Sequence, residues 1–291
     1  MKTTGWLSVL SAPVVVLVMG ALMMADAKGP LGRLASRKRE LPGDDVEWIR
    51  YPAQNEQSNP QWGEFLTDVA QHLPSQYGDH YSSNDRITHA HETTHGINSH
   101  ISNHLRHDGG PAYGFYVGND QAILLNGPRV KLSQVAALIP ESLRGSRYQL
   151  YCIEQQKYFE DHPLYLFDEW VAYTNGAYAG VELTEKNQLD MPRNDALIGP
   201  MEFSIYALGL AAAIEKHDPD YLRDNKQFRG FLAHELRRSI GIYRRGMKLD
   251  HFRWERRLER NLMKQDDSQE IRQVVQRLYG DDLTLEDLLE D

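Results

Sequence analysis

Residues 88–96 of the chain read Thr88-His89-Ala90-His91-Glu92-Thr93-Thr94-His95-Gly96. They contain the pattern H-E-x-x-H. Each residue of an α-helix turns by about 100°, so His91 and His95, four positions apart, lie on the same face. Their two imidazoles can therefore hold one metal ion. Glu92 lies one step around the helix, where it can reach a water molecule bound to that metal.

The flanking residues predict one long helix over 83–107. Ser82 and Ser83 are candidate N-caps, and Asp85 places a negative charge in the first turn. Gly109-Gly110-Pro111 is expected to end the helix. The alternative is a histidine-rich, solvated helix that binds no metal.

This motif resembles that of the zincin metallopeptidases, in which the glutamate is the general base and the two histidines bind zinc. The longer metzincin pattern is excluded, because Gly96 follows His95 directly and the sixth residue after His95 is Ile101. What remains is a resemblance to the gluzincin-like branch. In that branch the third zinc ligand is a glutamate on a later helix.

Glu169 is the candidate third ligand. It lies between Phe167 and Trp170-Val171, and a carboxylate in such an apolar run is costly unless a positive charge satisfies it. The resemblance also implies a glutamate here, although the N-E-x-x-S-D pattern of thermolysin-like members is absent. The alternative is that Glu169 pairs with a buried arginine. Asp168 faces about 100° away and is expected to accept a hydrogen bond from a ligand histidine.

Two tyrosines share the helical face of Glu169. Tyr173 follows it by four residues and Tyr165 precedes it by four, so either phenol could stabilise an oxyanion near the metal. Tyr173 is the preferred candidate, and the alternative is that both tyrosines only pack. Gly176, on the same face, would let the helix that carries His91 and His95 come close. Gly96 is the small residue of that helix that is predicted to lie opposite.

Composition excludes several classes of protein. The 291 residues carry a net charge of −9, which argues against a general nucleic-acid binder. The single cysteine, Cys152, excludes an intrachain disulfide and a cysteine-rich zinc site. The hydrophobic fraction of 41% is compatible with a packed core.

The first 27 residues have the pattern of an export signal. Lys2 supplies a positive charge, residues 7–24 are apolar, and Ala25-Asp26-Ala27 matches a cleavage site. Because the apolar run is long, an uncleaved membrane anchor is the alternative. Residues 28–45 are rich in glycine, proline and charge, and we interpret them as a linker or a short pro-segment.

A β-hairpin is predicted after the metal helix. Alternating residues from Tyr113 to Val117 are followed by the turn Gly118-Asn119-Asp120 and by a second strand from Ala122 to Leu125. Zincins usually carry an edge strand beside the metal that pairs with an extended peptide. The resemblance therefore makes this hairpin a candidate wall of the cleft, and the alternative is a purely structural hairpin.

Helical spacing predicts most of the remaining elements. Helices are expected over 60–73, 133–139 and 144–160, the last with Leu150, Ile153 and Tyr158 pointing inward. A further helix would begin at Pro163 and stop near Gly180. The last third is predicted to be helical, with a buried helix over 203–215 and an acidic tail from residue 283.

Together these observations predict an α+β, mainly helical protein with a small hairpin and a helical C-terminal lobe. Residues 46–291 would form one zincin-like catalytic domain, which could divide into lobes near residue 185. We expect an exported zinc peptidase acting on a peptide or protein substrate, with no nucleic-acid partner and a membrane contact only if the N-terminal segment is uncleaved. The alternatives are another zinc-dependent amide hydrolase, for example on cell-wall peptides, and a non-catalytic zinc protein. In the non-catalytic case His89 or Asp168 would supply a fourth ligand.

Overall fold

Helices dominate the described part of the chain, which comprises residues 41–105, 112–189, 194–252 and 256–290 of a computed structural model. Strands β1 (Ile49–Arg50), β2 (Ala112–Gly118) and β3 (Gln121–Asn126) form an antiparallel sheet in the order β1-β3-β2. The α-helices are α1 (Gly63–His72), α2 (Arg86–His104), α3 (Leu132–Leu138), α4 (Gln156–Phe159), α5 (Tyr165–Glu185), α6 (Ile198–His217), α7 (Pro219–Asp224), α8 (Lys226–Met247), α9 (Arg257–Lys264), α10 (Gln269–Tyr279) and α11 (Leu285–Leu289). The predicted mainly helical α+β class is confirmed.

Helix α2 begins at Asp85, whose side chain caps it. Asp85 Oδ1 accepts a hydrogen bond from the Ile87 backbone N–H at 3.1 Å, and Asp85 Oδ2 accepts one from the Thr88 hydroxyl at 2.7 Å. The predicted helix is confirmed, but the predicted caps Ser82 and Ser83 are wrong because Asp85 has this role. The predicted stop at 109–111 lies outside the described residues.

Helices α2 and α5 pack directly on one another through small residues of α5. A Cβ atom added to Gly176 would lie 3.1 Å from the Ile87 carbonyl oxygen and 3.5 Å from His91 Cβ. Gly180, one turn further along α5, also faces Ile87. Gly96 instead faces Tyr81, so its predicted role as a notch for α5 is wrong. The close approach lies nearer the N-terminal end of α2, where Ile87 and His91 meet α5.

The hairpin is confirmed with a two-residue turn. Asn119 and Asp120 have φ angles of +54° and +61°, the left-handed conformation that a tight hairpin turn requires. Asp120 also accepts hydrogen bonds from His72 Nε2 at 2.9 Å and from Arg50 Nε at 3.2 Å. These side-chain contacts fix the turn against α1 and β1.

The segment predicted as one helix over 144–160 is irregular. It contains a π-helical turn at Gln149–Glu154, followed by the short α4. Leu150, Ile153 and Tyr158 are 44%, 37% and 65% exposed, so the prediction that they point inward is wrong. The wider π turn breaks the 3.6-residue period on which that prediction depended, and the buried residues are Tyr148 and Cys152.

Helices α3, α5, α8 and α10 pack around α6. Helix α6 is buried from Gly199 to Ile214, which confirms the predicted buried helix. Helix α5 continues to Glu185, past its predicted end at Gly180. The predicted acidic tail from residue 283 includes α11, whose Leu285, Leu288 and Leu289 are buried. Glu40–Asp291 forms one compact unit, with no division near residue 185.

The N-terminal predictions fall largely beyond the described ranges. The predicted export signal of residues 1–27 lies outside the described residues, as does most of the predicted linker of residues 28–45. The described end of that linker packs on α8, where Gly43 lies against Gly230 and His234. Among the described helices, none is both long and apolar enough to cross a membrane.

Candidate metal centre

The structure brings His91, His95 and Glu169 together where α2 meets α5. His91 Nε2 lies 3.1 Å from His95 Nε2, and Glu169 Oε2 lies 3.7 Å from His91 Nε2 and 3.5 Å from His95 Nε2. Among the described residues, these three side chains form a group whose atoms lie close enough together to hold a metal ion. Two of the three come from one turn of α2, and the third comes from the second turn of α5.

The spacing of the three atoms fits a zinc ion. The circle that passes through the three atoms has a radius of about 2.0 Å, given their separations. This radius is close to the length of a zinc–nitrogen or zinc–oxygen bond. The three atoms are therefore close enough together for one zinc ion to bond all of them after at most a small adjustment. Two imidazoles and one carboxylate are a common ligand set of catalytic zinc.

Glu169 Oε2 is a buried oxygen that the described residues leave unsatisfied. None of the described groups makes a well-formed hydrogen bond to this atom, and the side chain is 16% exposed. Burial raises the pKa of Glu169, and the neighbouring His95 ring lowers it in part. An unpaired carboxylate oxygen is costly at such a position, and a cation between the two rings would satisfy it. The alternative prediction, that Glu169 pairs with a buried arginine, is wrong for the described part of the chain.

Asp168 orients His95 from the opposite side of the ring. His95 Nδ1 lies 2.7 Å from Asp168 Oδ2, and Asn98 Nδ2 donates to Asp168 Oδ1 at 2.7 Å. With the proton on Nδ1, His95 Nε2 keeps its lone pair for a metal. Burial alone would lower the pKa of His95, but Asp168 and then Glu169 raise it well above its usual value.

The outer edge of β2 is closed by side chains of α2 and α5. The backbone N–H groups of Gly114 and Tyr116 donate to Ser102 Oγ and Asn98 Oδ1, both at 2.8 Å. The Tyr116 carbonyl accepts from Asn175 Nδ2 at 3.1 Å. The predicted pairing of an extended substrate with this edge is therefore wrong between Gly114 and Tyr116, because these groups already have partners.

Glu92 is exposed and stays outside the group of three ligand atoms. It borders a cavity of about 220 Å³ that is also lined by His91, Arg147, Tyr151 and Tyr173. The Glu92 carboxylate and the His91 ring therefore border the same open space. A carboxylate at that position can accept a proton from a water molecule in the cavity.

The two candidate tyrosines differ in what their hydroxyl groups bind. The ring of Tyr173 packs on His91 with a centroid separation of 4.4 Å, and its hydroxyl lies 3.0 Å from the Tyr151 hydroxyl. The Tyr165 hydroxyl donates to the Tyr151 backbone carbonyl. Burial and then Glu169 raise the pKa of Tyr151, so this phenol stays protonated as a donor. Tyr173 and Tyr151 therefore present a pair of phenols to the cavity.

A second cavity of about 240 Å³ lies on the other side of His95. It is bordered by His95 and Asp168 and by aromatic side chains of the hairpin and of the 158–165 segment: Tyr113, Phe115, Tyr158, Phe159 and Tyr165. The first cavity is bordered by His91 and the second by His95. The hairpin lines the second cavity through Tyr113 and Phe115, although its edge is closed.

His89, proposed as a fourth ligand, is not part of the centre. It is buried against the edge of the Trp62 ring, with a centroid separation of 5.0 Å, and burial lowers its pKa. Asp168 is engaged by His95 and Asn98 and is not grouped with the three ligand atoms. Within the described part of the chain, neither His89 nor Asp168 therefore supplies a fourth ligand to the group.

Three residues at the site were missed from the sequence: Asn98, Arg147 and Tyr151. Asn98 carried a detectable signal, since it lies on α2 three positions after His95 and is a polar residue in an apolar stripe. Arg147 and Tyr151 reach the cavity through the π-helical segment, whose geometry no simple periodicity predicts. Comparison of the chain with models of known protein families, with curated protein sequences and with solved structures gives no match.

Proposed function

We propose that this chain is a zinc-dependent peptidase. The observation that carries the proposal is the convergence of His91 Nε2, His95 Nε2 and the unsatisfied Glu169 Oε2 at separations that suit one zinc ion. The resemblance of H-E-x-x-H to the zincin motif supports the same metal. Export of the protein is part of the proposal and depends on the sequence of residues 1–27.

Each residue of the site has a distinct part in hydrolysis. When bound, zinc supplies a Lewis acid that polarises the scissile carbonyl and lowers the pKa of water. Glu92 takes a proton from the attacking water and delivers it to the departing amine. Tyr173, with Tyr151 beside it, donates a hydrogen bond to the oxygen on which negative charge develops. Asp168 holds the His95 ring in the tautomer that leaves Nε2 unprotonated.

A non-catalytic zinc site is less well supported. Structural zinc sites are closed by four protein ligands, whereas catalytic sites keep one position for water. Within the described ranges, three side chains converge and Glu92 stands beside them in an open cavity. These features favour a hydrolase.

A second candidate function is hydrolysis of an amide outside an extended polypeptide. The closed edge of β2 favours it, because Ser102, Asn98 and Asn175 occupy the backbone groups that would bind an extended chain. Short peptides, including those of cell walls, would not need that edge. Substrates of both kinds therefore belong in the test.

The test compares cleavage by zinc-loaded protein with cleavage by its Glu92→Gln variant. Casein, a short-peptide library and a cell-wall peptide fraction would be incubated with each protein, and products would be followed by mass spectrometry. The wild type is expected to cut at least one substrate, to stop on chelation and to recover with zinc. Glu92→Gln should keep zinc and lose nearly all turnover. Glu56→Gln, at an exposed position away from the site, is the matched control.

Two results would contradict the proposal. One is an absence of hydrolysis by folded, zinc-loaded protein on every substrate. The other is full activity in Glu92→Gln, which would remove the proton acceptor from the mechanism. Loss of zinc from Glu92→Gln would instead show that Glu92 is a ligand.

A further inference from the structure

A series of buried polar side chains leads from α8 through α5 to the turn of α2 that carries the two histidines. We call its four members the buried network: Glu235, Arg238, Asn175 and Thr94. Glu235, Asn175 and Thr94 are fully buried, and the Arg238 side chain is 9% exposed. Burying charged and polar groups is costly unless they are paired, so the partners of each group indicate what the network does.

Glu235 and Arg238 form the charged end of the buried network, three residues apart on α8. Arg238 Nη1 lies 2.9 Å from Glu235 Oε1 and 3.2 Å from Glu235 Oε2, and donates to both. The guanidinium carbon lies 4.9 Å from the centre of the Tyr178 ring, an aromatic contact that also restricts the guanidinium. A buried ion pair is often no more stabilising than apolar side chains of similar size. Stability alone therefore does not account for this pair, and a further contact of Arg238 identifies the group that it holds.

Arg238 sets the orientation of the Asn175 amide, because Arg238 Nη2 donates to Asn175 Oδ1. A guanidinium has donors and no acceptor, so the amide oxygen must face Arg238 and the amide nitrogen must face the other way. Asn175 Nδ2 donates to Thr94 Oγ1 at 3.0 Å and to the Tyr116 carbonyl at 3.1 Å. The Thr94 hydroxyl in turn donates to the Ala90 carbonyl at 2.7 Å. One amide on α5 thus binds both α2 and β2.

Thr94 connects the buried network to the candidate metal centre. It lies three positions after His91 and one before His95 on α2. Glu169 lies on α5, the helix that also carries Asn175. A shift of this turn of α2 along α5 would break the hydrogen bond between Thr94 and Asn175. That bond therefore opposes a change in the distance from the two histidines to Glu169.

We infer that Glu235, Arg238 and Asn175 are positioning residues that hold the Thr94 turn of α2 in register with Glu169 for zinc binding. This inference rests on the proposed zinc site and adds residues that lie outside the group of ligand atoms. Each contact restricts the next: the ion pair restricts the guanidinium, the guanidinium orients the amide, and the amide holds the threonine. Breaking the network should therefore weaken zinc binding in a protein that still folds.

The first experiment removes the hydroxyl of Thr94. Thr94→Val keeps the shape of the side chain but takes away the acceptor of Asn175. Zinc affinity, measured on the full chain by competition with a chelator, should fall about 3- to 10-fold, which corresponds to the loss of one hydrogen bond. Thr94→Ser keeps the hydroxyl and should restore the affinity. Thr184→Val is the matched control, because Thr184 is also buried and donates to the Gly180 carbonyl four residues earlier at 2.7 Å.

The second experiment separates positioning from stability. The double variant Glu235→Leu/Arg238→Met replaces the ion pair by apolar side chains, a change that is often neutral in a protein core. Urea unfolding of metal-free protein should therefore change little. Zinc should nevertheless bind about 10- to 100-fold more weakly, because Asn175 loses the partner that orients its amide. The absorption bands of cobalt-loaded protein depend on ligand geometry and should also differ from those of the wild type, which a purely structural role would not cause.

The outcomes distinguish this inference from the proposed function. The inference is overturned if Thr94→Val or the folded double variant binds zinc as tightly as the wild type, or if Thr184→Val weakens binding as much as Thr94→Val does. If the double variant does not fold, the comparison of Thr94→Val with Thr94→Ser decides. If zinc affinities change as expected but no substrate is cut, the peptidase function fails and the inference stands. A wild-type chain that binds no zinc would overturn both.

Discussion

His95 Nδ1 lies 2.7 Å from Asp168 Oδ2, and this contact separates the roles of two adjacent carboxylates. Asp168 takes the Nδ1 side of the ring. Glu169, about 100° further round the same helix, places Oε2 3.5 Å from His95 Nε2. In the tautomer with its proton on Nδ1, next to Asp168, the Nε2 lone pair would be directed to the side on which Glu169 lies. In the proposed zinc site, one turn of α5 would therefore orient one ligand, His95, and supply another, Glu169.

Replacing Tyr173 by phenylalanine tests the phenol pair. The Tyr173 hydroxyl borders the cavity that holds Glu92, so Tyr173→Phe is expected to lower kcat by about 100-fold while zinc content stays the same. Steady-state kinetics and metal analysis measure the two quantities. Tyr165→Phe is the control, because its hydroxyl binds the Tyr151 backbone and should affect turnover much less. Equal losses in both variants would remove Tyr173 from the mechanism.

The close approach of α5 to α2 predicts opposite effects of alanine at two helical glycines. In Gly176→Ala the new methyl would lie 3.1 Å from the Ile87 carbonyl oxygen, so the Ile87 backbone must shift by a few tenths of an ångström. We expect this variant to lose about 1 kcal/mol of unfolding free energy and to bind zinc more weakly. In Gly241→Ala the methyl meets nothing within 4 Å, and the variant should gain about 0.5–1 kcal/mol. Denaturant unfolding tests both, and a stabilised Gly176→Ala with normal zinc affinity would contradict this packing.

His234 predicts that acid destabilises the fold. Burial, and then Arg238 and Arg237, lower the pKa of His234 to about 4. The unfolded chain binds this proton near the usual pKa of about 6.5, so between those values it holds more protons than the folded chain. The stabilising contribution of neutral His234 to the unfolding free energy is therefore complete above about pH 6.5 and is lost as the pH falls toward 4.

Urea unfolding of metal-free protein at pH 7 and pH 5 measures this effect. His234→Gln should lose less stability than the wild type on acidification, because the group that takes up the proton is gone. His217→Gln, at an exposed position, is the control and should behave like the wild type. The assignment would be contradicted if His234→Gln lost as much unfolding free energy between pH 7 and pH 5 as the wild type does.

Local geometry explains what could be predicted from the sequence. The spacing of His91 and His95, the 100° between Asp168 and Glu169, and the Asn119-Asp120 turn depend on only a few consecutive residues. These predictions needed nothing beyond helix and hairpin geometry. The same holds for the long helices, whose bounds differ from those predicted by a few residues.

Contacts between distant segments explain what could not be predicted. Asn175 closes the β2 edge across 59 residues, and Ser102 does so from α2 only because the two elements meet in the fold. Arg147 and Tyr151 enter the cavity from a π-helical turn. Neither periodicity nor composition contains this information, and the exposed Leu150 and Ile153 illustrate the resulting error.

The most direct test of the account is the zinc affinity and stoichiometry of the purified chain, titrated after removal of metal. The wild type is expected to bind about one zinc per molecule. Glu169→Ala should weaken binding the most, because it removes a ligand, whereas Asp168→Asn should cost about 10- to 100-fold as the loss of an orienting group. Zinc well below one per folded chain, or full zinc binding by Glu169→Ala together with loss in Asp168→Asn, would contradict the account.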